Sequence, residues 1–255
     1  MRAHPTAIID PAAQIEEDVE VGPYTIIEAD VVIGAGCKIG PHALLAGGTR
    51  LGRNVQVFNG AVLGIVPQDL KFKGEMTTAE VGDDTVVREF ATVHRGTEST
   101  GRTVVGKGCF LMAYSHVAHD CILEDEVIMA NSVNLAGHVL IEEQAIIGGV
   151  VPVHQFVRIG CHSFIAGGTR VPKDVPPYIM AANEPLRYAG LNAVGLRRRG
   201  FSSEVLTALK QAYKLIYNSN LNVSQGIARI REEMEIIPQV QHIIEFIEGS
   251  DRGII

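Results

Sequence analysis

Residues 105–135 read VGKGCFLMAYSHVAHDCILEDEVIMANSVNL, with an aliphatic side chain at every sixth position: Val105, Leu111, Val117, Leu123, Met129 and Leu135. An α-helix turns every 3.6 residues, so a beat of six would scatter these side chains around it and leave no apolar face. The residue four after the beat tends to be small, as Cys109, Ser115 and Cys121 show. That small residue and the next aliphatic stand two apart, so they share one side of a short strand while the residues between turn a corner.

The same beat extends in both directions. It runs from Ile9 through Ile15, Val21, Ile27 and Ile33 to Leu63, resumes at Val81, Val87 and Val93, and continues from Leu135 through Ile141 and Ile147 to Val171. Such self-similarity marks a solenoid. Three hexapeptide faces make one coil of 18 residues, and the chain is expected to be mainly β, a parallel β-helix over residues 1–180. Two interruptions, IVPQDLKFKGEMTTAE at 65–80 and RGTESTGRT at 95–103, are expected as loops on one face. They are candidate substrate loops, with tolerated surface insertions as the alternative. Beyond Pro176 and Pro177 the spacing becomes helical, with Ser202 suited to an N-cap and Pro238 to a first turn, which predicts a helical domain at 181–255.

Hydrophobic residues make up 46% of the 255 and charged residues 20%, the latter below the roughly 25% of an average globular chain. A net charge of −7 argues against a nucleic-acid partner, which calls for a basic surface. The opening MRAHPTAIID has no apolar signal region and no stretch is long enough to insert stably in a membrane, so the expected location is cytoplasmic. Cys37, Cys109, Cys121 and Cys161 form no CxxC pair, and neither a zinc site nor a disulfide framework is expected from them.

Residues 18 apart should lie about 4.8 Å above one another on adjacent coils. This ruler places Gly137 over His119 and His138 over Asp120, joining SHVAHDC (115–121) to NLAGHV (134–139). His94, His116, His119 and His138 then gather toward one end of the prism. Three readings compete for them: polar corner residues, a three-histidine zinc site, or acid–base catalysis with Asp120 fixing the tautomer of an imidazole base. The number of histidines weakens the first reading and their spacing weakens the second. Ser115, Cys109 and Cys121 fall in inward slots and are poor candidates for an exposed nucleophile.

The repeat resembles that of hexapeptide-repeat transferases, which implies a left-handed β-helix and a homotrimer. Together PQDLK (67–71), TVHRGT (92–97), SHVAHDC, NLAGHV, VHQF (153–156), DVPPY (174–178), GLRRRGF (195–201) and the closing DRGII resemble the UDP-N-acetylglucosamine acyltransferases that begin lipid A synthesis. The resemblance implies transfer of a 3-hydroxyacyl chain from acyl carrier protein to the 3-hydroxyl of UDP-GlcNAc, without metal or cofactor and with active sites between neighbouring prisms. It implies His119 as general base, Asp120 as its orienting partner, and Gly137 as the backbone N–H that meets the oxyanion. Gln68, Asp69, Lys71, His94, His116, His138, His154 and Gln155 are implied as substrate contacts, Gly167 as a floor position in the acyl groove, and Asn192, Arg198 and Arg199 as contacts to the nucleotide end. For Gly167 a tight corner is the alternative, and for the arginines a solvated turn or a patch for acyl carrier protein. Val194 stands where the family commonly has Glu, and AANEPLRYAG (181–190) lacks its glycine-rich wording. These departures leave open a 3-amino acceptor in place of the 3-hydroxyl one; a hexapeptide acyltransferase using acyl-CoA is the other alternative, against which the PQDLK loop and the terminal helices count.

Overall fold

The computed structural model describes all residues 1–255, and the six-residue beat becomes a three-sided prism, a left-handed parallel β-helix. Each side is a parallel sheet of strands mostly two residues long. The first side starts at Arg2–Ala3, the second at Ile8–Ile9 and the third at Gln14–Ile15. Partners on one side stand eighteen residues apart, as in His116↔Asn134 and Ile122↔Leu140. Beat residues such as Val117, Leu123, Met129, Leu135 and Ile141 are at most 1% exposed, and the small slots Cys109, Ser115, Cys121, Ala145 and Ser163 fill the rest of the narrow interior. A single coil cannot bury its own aliphatics, so stability arises from stacking.

Two-residue strands demand tight corners. Along one edge of the prism Asp120, His138 and Phe156 turn the chain with φ of 60°, 62° and 63°; along the next edge Glu126, Gln144 and His162 do so with 56°, 58° and 54°. Left-handed backbone is unfavourable for residues with a Cβ, so the coil's packing here overrides local preference.

The insertions lengthen the pairing step without ending the sheets: Val62 pairs with Thr92, thirty residues on, and Thr92 with His116, twenty-four on. Strands Val62–Ile65, Thr78–Val81 and Arg102–Val105 reach into both segments, leaving irregular stretches at 66–77 and 95–101 that are shorter than expected. Ala79 and Thr103 are wholly buried beside Val81 and Val105, so the in–out alternation begins one step before the beat residue. The histidines also sit nearer mid-prism than expected, with His94 and His116 on the fifth and sixth of eight strands of their side.

Strand Ile179–Ala182 extends the first sheet, pairing Phe164↔Met180, and Arg187–Leu191 returns antiparallel to it. The expected domain boundary at 180/181 therefore falls inside a strand. Four helices follow: α1 (Ala193–Arg198), α2 (Ser203–Tyr217), α3 (Val223–Glu233) and α4 (Pro238–Glu248). Ser202 Oγ accepts the Val205 N–H, Asn222 and Gln225 form a capping box, and Pro238 opens α4. Burial of Leu209, Tyr213, Ile230, Ile243 and Phe246 gives the helices a shared core. They dock on the prism through the Tyr213 hydroxyl, which donates to Pro177 O, and through His242 Nε2, 2.8 Å from Glu142 Oε2. Arg158 lies over the Phe246 ring at 4.4 Å.

Candidate active site

His119 and Asp120 occupy a corner where the chain leaves strand His116–Val117. One coil on, His138 N–H donates to His119 O at 3.1 Å, and a Cβ on Gly137 would lie 2.5 Å from His119 Cε1 and 2.7 Å from Nε2. The eighteen-residue ruler thus holds at the site. Gly137 lets the backbone pass directly over the imidazole, and its N–H donates to no acceptor within the chain.

His119 Nδ1 stands 2.7 Å from Asp120 Oδ2. The Asp120 side chain is wholly buried and that of His119 is 15% exposed. Burial pushes the Asp120 carboxyl up, but hydrogen bonds from Thr100, His119 and Thr97 outweigh it and hold the group down at about 2. An ionised carboxylate accepts only, so the His119 nitrogen facing it carries the hydrogen and Nε2 presents its lone pair. That is the tautomer a general base needs.

His94, buried, meets His116 edge-on at 4.7 Å, and His138 stacks on Phe156 at 4.6 Å while standing edge-on to His119 at 5.3 Å. His116 Nδ1 is 2.7 Å from Thr92 Oγ1. Burial, with His116 and His119 nearby, pushes His94 down to about 4, and burial with His119 lowers His116. Both rings are therefore neutral at neutral pH and add no positive charge beside His119.

The two insertions converge on this corner. Asp69, Lys71 and Phe72 of the first, Thr97 and Ser99 of the second, and His138 line a cavity of about 290 Å³. Gln68 lies exposed beside Asp69, and Arg95 lies over the Phe72 ring at 5.4 Å. His154 and Gln155 are exposed one coil beyond Gly137, and His154 borders a mostly apolar cavity of about 430 Å³ with Pro152, Arg170 and Leu186. Gly167 is exposed, and a Cβ there would approach Gly149 O at 3.0 Å; the left-handed corner belongs to Gly168, with φ 73°.

Asn192, Arg198 and Arg199 lie elsewhere. Asn192 caps α1 and donates through Nδ2 to His162 O at 2.9 Å, and Arg199 pairs with Glu126 at 3.0 Å. Glu126 and His162 belong to the neighbouring edge of the prism, so one chain does not bring the arginine cluster to His119. Arg198 is exposed and Val194 is 60% exposed.

The inward slots exclude the rival nucleophiles. Ser115 and Cys121 are at most 1% exposed, and burial pushes the Cys121 thiol up to about 12 and Cys109 to about 11. Two clusters have metal-ligating donors within reach of one another, His119–Asp120–His138 and Glu142–Cys161–His242. In the first the carboxylate is already taken by hydrogen-bond donors; in the second Glu142 is matched by His242 at 2.8 Å and Arg158 at 3.7 Å. Thr92, Thr97, Thr100 and Phe156, all in contact with the site's titratable groups, were not foreseen from sequence. The threonines at 97 and 100 lie inside an insertion, where no periodicity assigns a direction to a side chain.

Residues 174–255 match the family described as UDP N-acetylglucosamine O-acyltransferase, domain 2, and residues 12–47 and 102–137 match the bacterial transferase hexapeptide. The chain is 49% identical to the acyl-[acyl-carrier-protein]–UDP-N-acetylglucosamine O-acyltransferase of Thiobacillus denitrificans, over 99% of this chain and 98% of that one. The corresponding enzyme of Janthinobacterium is also 49% identical, with the same coverage. Among solved structures, a UDP-N-acetylglucosamine acyltransferase from Bacteroides fragilis superposes with a TM-score of 0.98 at 46% identity, and LpxA from Acinetobacter baumannii with 0.96 at 44%, each covering 99% of both chains.

Proposed function

The chain belongs to the acyl-[acyl-carrier-protein]–UDP-N-acetylglucosamine O-acyltransferase family, whose reaction opens lipid A biosynthesis, and from that membership we propose how its residues perform the transfer. His119 Nε2 removes the proton from the sugar 3-hydroxyl as that oxygen attacks the thioester carbonyl of a 3-hydroxyacyl chain on acyl carrier protein. The developing oxyanion accepts the Gly137 N–H, which has no partner of its own. Collapse expels the phosphopantetheine sulfur as thiolate, the His119 imidazolium returns the proton, and the ester and the free thiol depart. The observation that carries this reading is the 2.7 Å bond from His119 Nδ1 to a fully buried, ionised Asp120. No cofactor enters this sequence of steps.

Lys71 and Asp69 on the first insertion, with His116 and His138, hold the sugar, and His94 closes the wall behind it. His154, Gln155 and the open strip at Gly167 receive the donor's acyl end. Asn192, Arg198 and Arg199 hold the nucleotide end, Arg198 and Arg199 supplying guanidinium groups suited to a diphosphate. Because they occupy a different edge from His119, each site is completed by a neighbouring prism in a homotrimer. No helix is long and apolar enough to cross a membrane, and the reaction is assigned to the cytoplasm, where acyl carrier protein is found.

The test is mass detection of acylated sugar from UDP-GlcNAc and 3-hydroxyacyl-acyl carrier proteins of several lengths, with the 3-amino sugar as a comparison acceptor. His119→Ala should lower kcat roughly a hundred- to ten-thousandfold in a chain that still folds and assembles. Near-normal turnover by that variant would remove the general base from the scheme.

A further inference from the structure

Asp120 receives more donors than its link to His119 requires. Oδ2 accepts His119 Nδ1–H and Thr97 Oγ1–H, each at 2.7 Å; Oδ1 accepts Thr97 N–H at 3.0 Å and the Thr100 hydroxyl. A carboxylate has about four lone-pair sites, and all are occupied. Three of the four donors come from the second insertion, 95–101.

The geometry points to Thr97, assisted by Thr100, as a positioning residue for the His119–Asp120 pair, with the insertion built to clamp the carboxylate. This deepens the general-base reading and rests on it. Thr97 is 8% exposed, and its hydroxyl accepts the Ser99 N–H at 3.3 Å while donating to Asp120. Its one proton therefore has a defined direction. Thr100 is more exposed and has a second acceptor, Arg102 O at 2.8 Å, so its share is the smaller. The Asp120 N–H is in turn taken by Thr103 Oγ1 at 2.8 Å, which fixes the backbone of the corner.

The clamp has two consequences. Asp120 stays ionised in a buried place, so it can only accept, which imposes the productive tautomer on His119. Thr97 holds both carboxylate oxygens, Oδ2 through its hydroxyl and Oδ1 through its N–H, so the plane of Asp120 is fixed and the His119 ring bonded to it keeps Nε2 beside Gly137. The insertion also lines the cavity with Lys71 and His138 through Thr97 and Ser99, so one segment both borders the substrate space and sets the base.

Steady-state kinetics on Thr97→Val, Thr97→Ser and Thr97→Val/Thr100→Val, beside His119→Ala, test this. Thr97→Val should lower kcat roughly ten- to a hundredfold, the range expected for a hydrogen bond to a charged group, with KM for UDP-GlcNAc within about threefold. Thr97→Ser should restore most of the loss and the double variant should deepen it. In ¹⁵N spectra of the His119 ring, Nδ1 should carry the hydrogen in the parent and exchange it with Nε2 in the double variant. Full kcat in both valine variants, with His119→Ala inactive, would overturn the clamp and leave the base intact. A loss that serine does not rescue, or one that moves KM with kcat and leaves the ring tautomer unchanged, would also overturn it. Activity in His119→Ala would instead remove the reading on which the clamp depends.

Discussion

Gly137 and His119 illustrate how a six-residue code makes room for chemistry. In the repeat they are corner residues without an inward duty, and the stacking of coils alone brings the glycine backbone against the imidazole. The chemistry then depends on which protons the neighbours hold. Asp120, held at about 2, lies below the roughly 3.9 of an unfolded aspartate. The unfolded chain thus binds more protons across that interval, and stability present above about pH 4 is lost as pH falls toward 2. His94, at about 4 against roughly 6.5 unfolded, acts in the same direction over a higher window, from about pH 6.5 down to 4. Urea midpoints measured from pH 7 to 3 should fall in both windows, with Asp120→Asn lessening the slope in the lower and His94→Gln lessening it in the upper. His94 shares the upper window with His162, likewise pushed down by burial to about 4. An unchanged slope in both variants would refute the assignment. At this scale the pair SHVAHDC and LAGH was legible because both halves lie on the beat. Thr97 and Thr100 were not, since nothing periodic runs through an insertion.

The elements that obey purely local chemistry were the easiest to foresee. Ser202 and Pro238 announce helix starts by satisfying or lacking an N–H, and both stand where expected. The hairpin Ile179–Ala182 with Arg187–Leu191 was missed because AANEPLRYAG shows neither the beat nor a clear alternation, and its pairing depends on the sheet edge left by Phe164–Ile165. The attachment of α4 yields a prediction of opposite sign to those above. His242 is raised to about 10 by its hydrogen bonds to Cys161 and Glu142. Its contribution is complete below about pH 6.5, the unfolded value, and is lost as pH rises through 10. Amide exchange in α4 should therefore quicken between about pH 7 and 10, beyond the base-catalysed trend seen in α2, and His242→Ala should be fast throughout. Equal pH trends in the two helices would refute the link.

At the scale of the whole molecule, the prism was written plainly in Ile9 to Val171, while the separation of Arg199 from His119 onto different edges was hidden. Arg199 reads in sequence as one more site residue, but it sits by Glu126 on a different edge from Asp120. A site shared between subunits has a direct test. Mixed and reassembled chains carrying either His119→Ala or Arg198→Ala/Arg199→Ala, each inactive alone, should regain about a quarter of the parent's sites by random pairing across a cyclic interface. No recovery from verified mixed trimers would place both groups in one chain's site. The open first coil carries a different implication. Arg2–Ala3 and Ile8–Ile9 have strand partners on one side only, with Ile8 65% exposed, whereas the last coil is sealed by the hairpin and helices. A stack in which each turn is bonded only to its neighbours melts like a zip from its unfastened end. Loosening that starts at the exposed first coil must therefore break the bonds of every turn before His94 in succession before it reaches His119.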